Sequence, residues 1–546
     1  MIEDVLLVEG ATGARRARLD EYVEPAAEER ALTSEYEWIK QLRHAEVDGQ
    51  TLRSRFTVRG DSLWWFAELY LHKQQAMLNV FRTIAALESL QARERPRRIR
   101  VERGGPILRA LLPQFARKAG VRLDAGASLR PGVLRMIRLR ARARGLTTAA
   151  HLSRTRRTAP PPVSHPILVA AFVHRAFWRA SATEGSAESY IGPVLGELEA
   201  RISERIGYVG VGPSENFRAR RWWHAVMTEA ARENAVMPVE SFAPVSRLTD
   251  SRQVWRDRER NRRALVSSAH LREHAVIQGY DCWPIVREEL AGIAFLQWPW
   301  SARAMDEAGA ALDALRPEVV VTYAEAGGWG RAVMLEARRR HLPTVGLQHG
   351  FIYGSWLNYL HEPDEMRPDS VNSADGGFPA PFRTLLFDDY ARSHLERRGR
   401  FSPESLVVTG SPRLDALVQA AAQLTAKEIA SARELSGADG SRDLVLFVAK
   451  YSQAKHALGA LVDAVSRMPN VQLAVKTHPA ETPDAYARLV HAHKNIRVLA
   501  AAVPLGPLLR ASRVVVTVNS TVAVDAGVLG IPALVIGLPN NLSPFV

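Results

Sequence analysis

Short runs of apolar, mostly β-branched residues recur along this chain, separated by stretches of helical spacing. In the last third they are Thr384–Phe387, Ser405–Val408, Leu444–Val448, Val471–Val475, Ile496–Leu499, Val514–Val518 and Ala533–Ile536. Runs this short and continuous predict strands buried on both faces, and their alternation with helices predicts a doubly wound parallel sheet. Upstream, Pro166–Phe172, Gly207–Val211, Glu318–Tyr323 and Thr344–Leu347 predict a second α/β region. At the front, Val5–Val8, Arg98–Glu102 and Val121–Asp124 predict a small parallel sheet beside a long helical stretch, Ser62–Leu90. The pattern divides the chain into an N-terminal α/β domain (1–128), a linker (129–162) and two α/β domains (163–382 and 383–546), with no internal repeat.

Charge adds one feature to this picture. The chain of 546 residues carries a formal net charge of +14. Residues 92–157 hold 19 Lys and Arg against three acids, a net of +16, so the rest of the chain nets −2. Two readings stand for Val133–Arg144: a helix drawn to an anionic membrane surface, or a solvated helix covering a domain seam. No aromatic-interleaved stripe accompanies the charge, so nucleic acid is not the expected partner. The single cysteine, Cys282, excludes an intramolecular disulfide and a cysteine-based zinc site, and fits a reducing cytoplasm. A hydropathy window flags Val514–Pro539, but Asn519, Ser520, Asp525 and Pro532 inside it favour a buried strand–helix–strand unit.

Candidate chemistry sits where predicted strands end, because parallel strands present their ends to one edge and ligands bind there. The strand Val514–Val518 runs into Asn519-Ser520-Thr521, hydroxyls at a helix entrance that suit a phosphate or simply cap the helix. The strand Val471–Val475 ends in Lys476-Thr477-His478-Pro479, a basic pair at what reads as a neighbouring strand end. Asp525 can reach a ribose hydroxyl or lie in solvent, and Lys450 ends the strand Leu444–Val448 on the same edge. In the middle of the chain, His349 follows Thr344–Leu347 and Glu325 follows Glu318–Tyr323. An imidazole and a carboxylate on one cleft offer a general base; a satisfied histidine and a helix-start carboxylate are the alternatives. The sequence contains no HExxH, no CxxC and no GK[ST] after the glycines of 326–330, so neither a metal site nor a Walker A loop is expected.

The order of these segments is familiar. VVVTYAEAGGWGRAVMLEARRRHLPTVGLQHG, then VVTGSPRLDAL, VQLAVKTHP and LLRASRVVVTVNSTVAVDAGVLGIPALVIG, resembles GT-B glycosyltransferases of bacterial capsule and lipopolysaccharide synthesis. The likeness is nearest to enzymes using CMP-activated sugars (Kdo or sialic-acid type) and to CDP-glycerol glycerophosphotransferases. It spans about residues 316–538, and GDSLWWFAELYLHK (60–73) resembles a family of surface-carbohydrate biosynthesis proteins. It implies an α/β, GT-B-like fold: two facing Rossmann-like domains behind the N-terminal domain. It implies transfer from a nucleotide-sugar donor to a glycan or lipid-linked acceptor, in the cytoplasm or on the inner membrane face, with neither cofactor nor metal. His478, Ser520 and Thr521 would then hold the donor phosphates, with Lys476, Lys450 and Asp525 beside them, and His349 or Glu325 would be the base. Sialyltransferases of this group carry an acidic pair before glycine; here the sequence reads Glu325-Ala326-Gly327, which leaves the base open between those two residues. A sugar-nucleotide epimerase of the same fold and a non-catalytic assembly scaffold are the alternatives. The last domain is expected to lack the helix that usually returns across the cleft.

Overall fold

The computed structural model describes residues 4–10, 13–124, 132–155, 166–180, 186–188, 190–202, 205–212, 236–323, 325–438, 441–449, 457–478, 481, 483–484, 486, 493–537 and 542. The N-terminal sheet holds β1 (Val5–Gly10), β2 (Gly13–Arg18), β3 (Arg98–Arg103) and β4 (Arg122–Asp124) in the order β2-β1-β3-β4, and it is mixed rather than parallel as expected: β1 runs antiparallel to β2 and β3, and only β3 and β4 are parallel. The second sheet holds β5 (Val169–His174), β6 (Ile206–Val211), β7 (Met237–Pro238), β8 (Val319–Tyr323), β9 (Thr344–Leu347), β10 (Arg383–Leu386) and β11 (Leu406–Val408). Its order is β7-β6-β5-β8-β9-β10-β11, and every pairing is parallel. The third sheet holds β12 (Asp443–Val448), β13 (Val471–Lys476), β14 (Ile496–Leu499), β15 (Val514–Thr517) and β16 (Ala533–Val535), ordered β14-β13-β12-β15-β16 and again wholly parallel.

In each large sheet the first five strands lie in the order 3-2-1-4-5, the doubly wound Rossmann arrangement. The chain reverses direction across the sheet between β5 and β8, and again between β12 and β15. At such a switch point the flanking loops leave toward opposite sides and open a crevice at the strand ends. Two Rossmann-like units of this kind make a GT-B-type α/β architecture.

Three further expectations need correction. The boundary placed at 383 falls inside the second sheet: Val345 pairs with Arg383 and Thr384 with Leu406, so β10 and β11 extend the first Rossmann-like unit. A parallel strand has the same apolar pattern in either sheet, and only tertiary pairing assigns it. The chain crosses to the last unit in the helix Pro412–Ala422, which packs on Gly192–Ile202 from one unit and on Leu505–Ala511 and Val522–Val528 from the other.

Second, the N-terminal segment is not self-contained. Trp64, Trp65 and Phe66 share one core with Trp298, Met305, Leu335 and Phe378. Across the same seam Lys40 Nζ lies 2.6 Å from Glu68 and 2.8 Å from Glu365, and Arg331 bonds both Glu68 and the Trp65 carbonyl. All four charged side chains are buried, so each depends on its partners for solvation.

Third, the chain does repeat itself. Three hairpins turn at Asp48-Gly49, Arg59-Gly60 and Gln278-Gly279, each with two consecutive positive φ angles (52° and 78°, 52° and 92°, 50° and 78°). These are type I′ turns, whose second position glycine occupies without strain. Each hairpin closes through the same bond (Leu52 N to Ala45 O, Leu63 N to Phe56 O, Cys282 N to Ala275 O) and feeds a helix. Within the linker, Gly132–Thr155 forms one helix, and Arg140 on it donates to Glu259 at 3.1 Å.

Candidate active site

The crevice of the third sheet is built from three strand exits. β12 ends against Ala449, β13 against Thr477 and His478, and β15 against Val518–Thr521. Thr517 Oγ1 donates to Val448 O at 2.5 Å, and Thr477 Oγ1 to Leu499 O at 2.7 Å, which ties each exit to the strand beside it. The fully buried Tyr486 hydroxyl lies 2.9 Å from Ala449 O and 2.6 Å from Glu481 Oε2, and Glu481 N donates to His478 O at 2.9 Å. This relay holds the turn at His478 over the end of β12, at the switch point. His478 and Ser520 are half-buried and Thr521 is exposed. Among the described residues the Ser520 hydroxyl makes one long local contact, accepting from Val522 N at 3.4 Å.

β13 and β15 are not neighbours. β12 lies between them, so His478 and Ser520 stand two strand spacings apart, about 10 Å. The residues that follow Ala449, Lys450 among them, and Pro479 lie outside the described residues.

Two predicted phosphate or ribose ligands have other partners. Lys476, 6% exposed, points its ammonium at the turn after β14, donating to Ala501 O at 2.8 Å and Ala500 O at 3.4 Å. Burial lowers its pKa. As an inward position of the strand, its amine has to take carbonyls within the fold. Asp525 is buried, and Arg413 donates to both its carboxylate oxygens at 2.7 and 3.3 Å. Asp525 therefore clamps the crossing helix Pro412–Ala422 to the last unit and is not open to a ribose.

The switch point of the second sheet has a different lining. His174 ends β5, Tyr323 ends β8 and His349 follows β9. The Tyr323 ring lies 5.7 Å from His174 and 5.3 Å from His349, and its hydroxyl accepts from His174 N at 3.0 Å. Tyr190 closes one side, 5.5 Å from His349, with Phe177 4.8 Å beyond it; Trp356 stands 6.3 Å away on the other side. The result is an aromatic recess around a half-buried imidazole whose Nδ1 is shielded and has no hydrogen-bond partner among the described residues. Burial, then the nearby His174, pushes the His349 pKa down to about 4, so at neutral pH it is a free base able to accept a proton. Gln348 fixes the loop that carries it, accepting from Phe387 N at 2.8 Å and donating to Gly350 O at 2.9 Å.

Glu325 is brought to the adjacent strand, as expected from the pairing of β8 with β9, but it lies beneath the recess at 2% exposure. A Cβ at Gly346 would stand 2.9 Å from Glu325 Cγ, so glycine on β9 is what admits the carboxylate. Tyr359 donates to its Oε1 at 2.9 Å, and burial raises its pKa to about 7. Oε1 is thus bonded within the fold, while Oε2 is buried with no hydrogen-bond partner among the described residues. His174, Tyr190, Tyr323 and Trp356 were missed from sequence; the one available signal was that His174 ends its strand as His349 follows its own.

Among the described residues no group of three or more His, Cys, Asp or Glu is disposed to hold a metal ion, and no helix is long and apolar enough to cross a membrane. No curated protein matches the chain. In the solved structures, the UDP-GlcNAc 2-epimerase of Neisseria meningitidis bound to UDP-GlcNAc is similar, at 12% identity and a TM-score of 0.41 over 69% of this chain and 84% of that one. A glycosyltransferase from Rickettsia africae is similar at 10% identity and a TM-score of 0.38, over 69% of this chain and 83% of that one. Residues 443–540, which start at the first residue of β12 and run past β16, match the family described as capsule polysaccharide biosynthesis protein.

Proposed function

We propose that this chain is a glycosyltransferase of surface-polysaccharide synthesis, moving a sugar from a CMP- or CDP-linked donor to a glycan or lipid-linked acceptor. One observation carries the reading. The segment that matches the capsule family contains the five parallel strands β12–β16 in Rossmann order, with His478 and Ser520–Thr521 at strand exits on its switch-point edge. The donor phosphates lie in the crevice at that edge, in the interval above β12. The acceptor hydroxyl enters the aromatic recess, where stacking faces suit a sugar ring and His349 takes the proton. His478 and the turn at 520–521 meet the charge of the departing phosphate without a bound cation. A nucleotide-sugar pool places the reaction in the cytoplasm.

Product analysis with a panel of CMP-, CDP- and UDP-sugars and glycan acceptors tests this. The reading expects free nucleotide and an extended glycan, unaffected by EDTA. Removing the His478 side chain is expected to cost on the order of ten- to a thousandfold in turnover. An isomerised nucleotide sugar with no acceptor consumed would make the chain an epimerase, and failure to bind any nucleotide would make it a scaffold.

A further inference from the structure

The helix Gly132–Thr155 carries six arginines and no acidic residue. Ala143 is buried beneath it, and Arg140 anchors it, paired with Glu259 and lying 5.6 Å over the Phe295 ring. Away from Ala143 the helix is open to solvent. Arg138, Arg142 and Arg144 are exposed and make no ion pair among the described residues, and Ile137 beside them is 56% exposed. The neighbouring helix Thr249–Ser267, which supplies Glu259, also carries arginines free of ion pairs among the described residues. Arg252 and Arg256, seven and three residues before Glu259, fall on the same stripe, and both are exposed and unpaired among the described residues. Arg258 sits close enough that, after burial itself, the charges of Arg144 and Arg140 lower its pKa.

Two adjoining helices thus hold five unpaired guanidinium groups where a solvated seam needs none. Interspersed carboxylates would relieve their repulsion, yet the first helix has none. A polyanion relieves it from outside. The exposed isoleucine selects among polyanions: an apolar side chain among arginines, on a helix about 36 Å long, fits the boundary between lipid headgroups and acyl chains. The first helix carries no Trp, Tyr or Phe on which a nucleic-acid base could stack.

We propose that these two arginine-bearing helices dock the protein on an anionic lipid bilayer, with the helix Gly132–Thr155 lying along the surface and Ile137 entering the headgroup boundary. The inference does not depend on the transferase reading, because docking is measured without donor or acceptor.

Vesicle flotation of the full chain tests it, using phosphatidylcholine vesicles with and without phosphatidylglycerol, at low and high salt. Binding is expected only with the anionic lipid and is expected to fall with salt. Each arginine removed lowers the partition coefficient about fivefold, so R138Q/R142Q is expected to weaken it about 25-fold. R138K/R142K is expected to keep binding, which separates charge from misfolding. I137S is expected to lower affinity without changing the salt dependence. Equal flotation of wild type and R138Q/R142Q, equal binding to neutral vesicles, or binding of duplex DNA with no flotation at all would each overturn the proposal.

Discussion

The two large sheets share one strand order and differ in what they put at its reversal. At β5 and β8 the edge is aromatic: burial lowers the His349 pKa to about 4 and raises the Glu325 pKa to about 7, and the buried Glu188 lies beside Tyr323. At β12 and β15 the edge is small and polar, with the half-buried His478 and Ser520 at strand exits on either side of β12. The same topology therefore makes two crevices, and the loops decide their chemistry. The proposed function assigns a sugar hydroxyl and a base to one and a phosphate to the other. They also differ in support. The first unit is locked to the N-terminal segment through buried ions, whereas the last is tied to the crossing helix by Arg413 and Asp525.

The sharpest way to break this division is to remove the base. His349→Ala is expected to lower turnover about a hundred- to ten-thousandfold while leaving nucleotide affinity unchanged. The acid limb of kcat/KM should fall near pH 4 rather than 6.5, because only the unprotonated ring accepts a proton. Loss of nucleotide affinity with turnover would mean that one crevice does both jobs.

The difference in support can be tested by denaturant unfolding. Glu68→Ala leaves Lys40 and Arg331 buried without their shared carboxylate, and is expected to cost about 3–5 kcal/mol in the transition of the first unit. The last unit should keep its midpoint.

Glu325 tests whether burial holds its own carboxyl protonated. Its pKa is raised from 4.5 to about 7, so between those values the folded protein keeps a proton that the unfolded chain has released. The stability it contributes is whole below 4.5 and fades as pH rises through 7, by roughly 3 kcal/mol. Glu325→Gln should remove that slope in unfolding measured across the same range. An unchanged slope would show that the carboxyl ionises normally.

The smallest effect is expected at the crossing helix. Arg413→Ala leaves the buried Asp525 without its donor, and about 1–3 kcal/mol should be lost from the last unit alone.

The strands of both crevices were legible because buried parallel strands are unbroken apolar runs: Val471–Val475 and Val514–Val518 appear within a residue of their expected ends. What the runs could not show was pairing. β10 and β11 read like strands of the last unit and joined the other sheet. Lys476 sits at the expected strand end, but its direction depends on carbonyls about 25 residues further on. Asp525 meets an arginine 112 positions earlier. The aromatic recess gathers residues from 174 to 356, and no local pattern marks such a set. The I′ hairpins were legible in principle, as a residue before glycine between short β-prone pairs, but three dissimilar copies hid the repeat.

The central claim is that a nucleotide binds above β12, between His478 and Ser520. Calorimetric titration of wild type, His478→Ala and His349→Ala with CMP, CDP and UDP tests it most directly. The account predicts that one of these nucleotides binds wild type at a single site, that His478→Ala weakens it at least about tenfold, and that His349→Ala does not. Equal affinity in wild type and His478→Ala, or no binding to wild type, would contradict it.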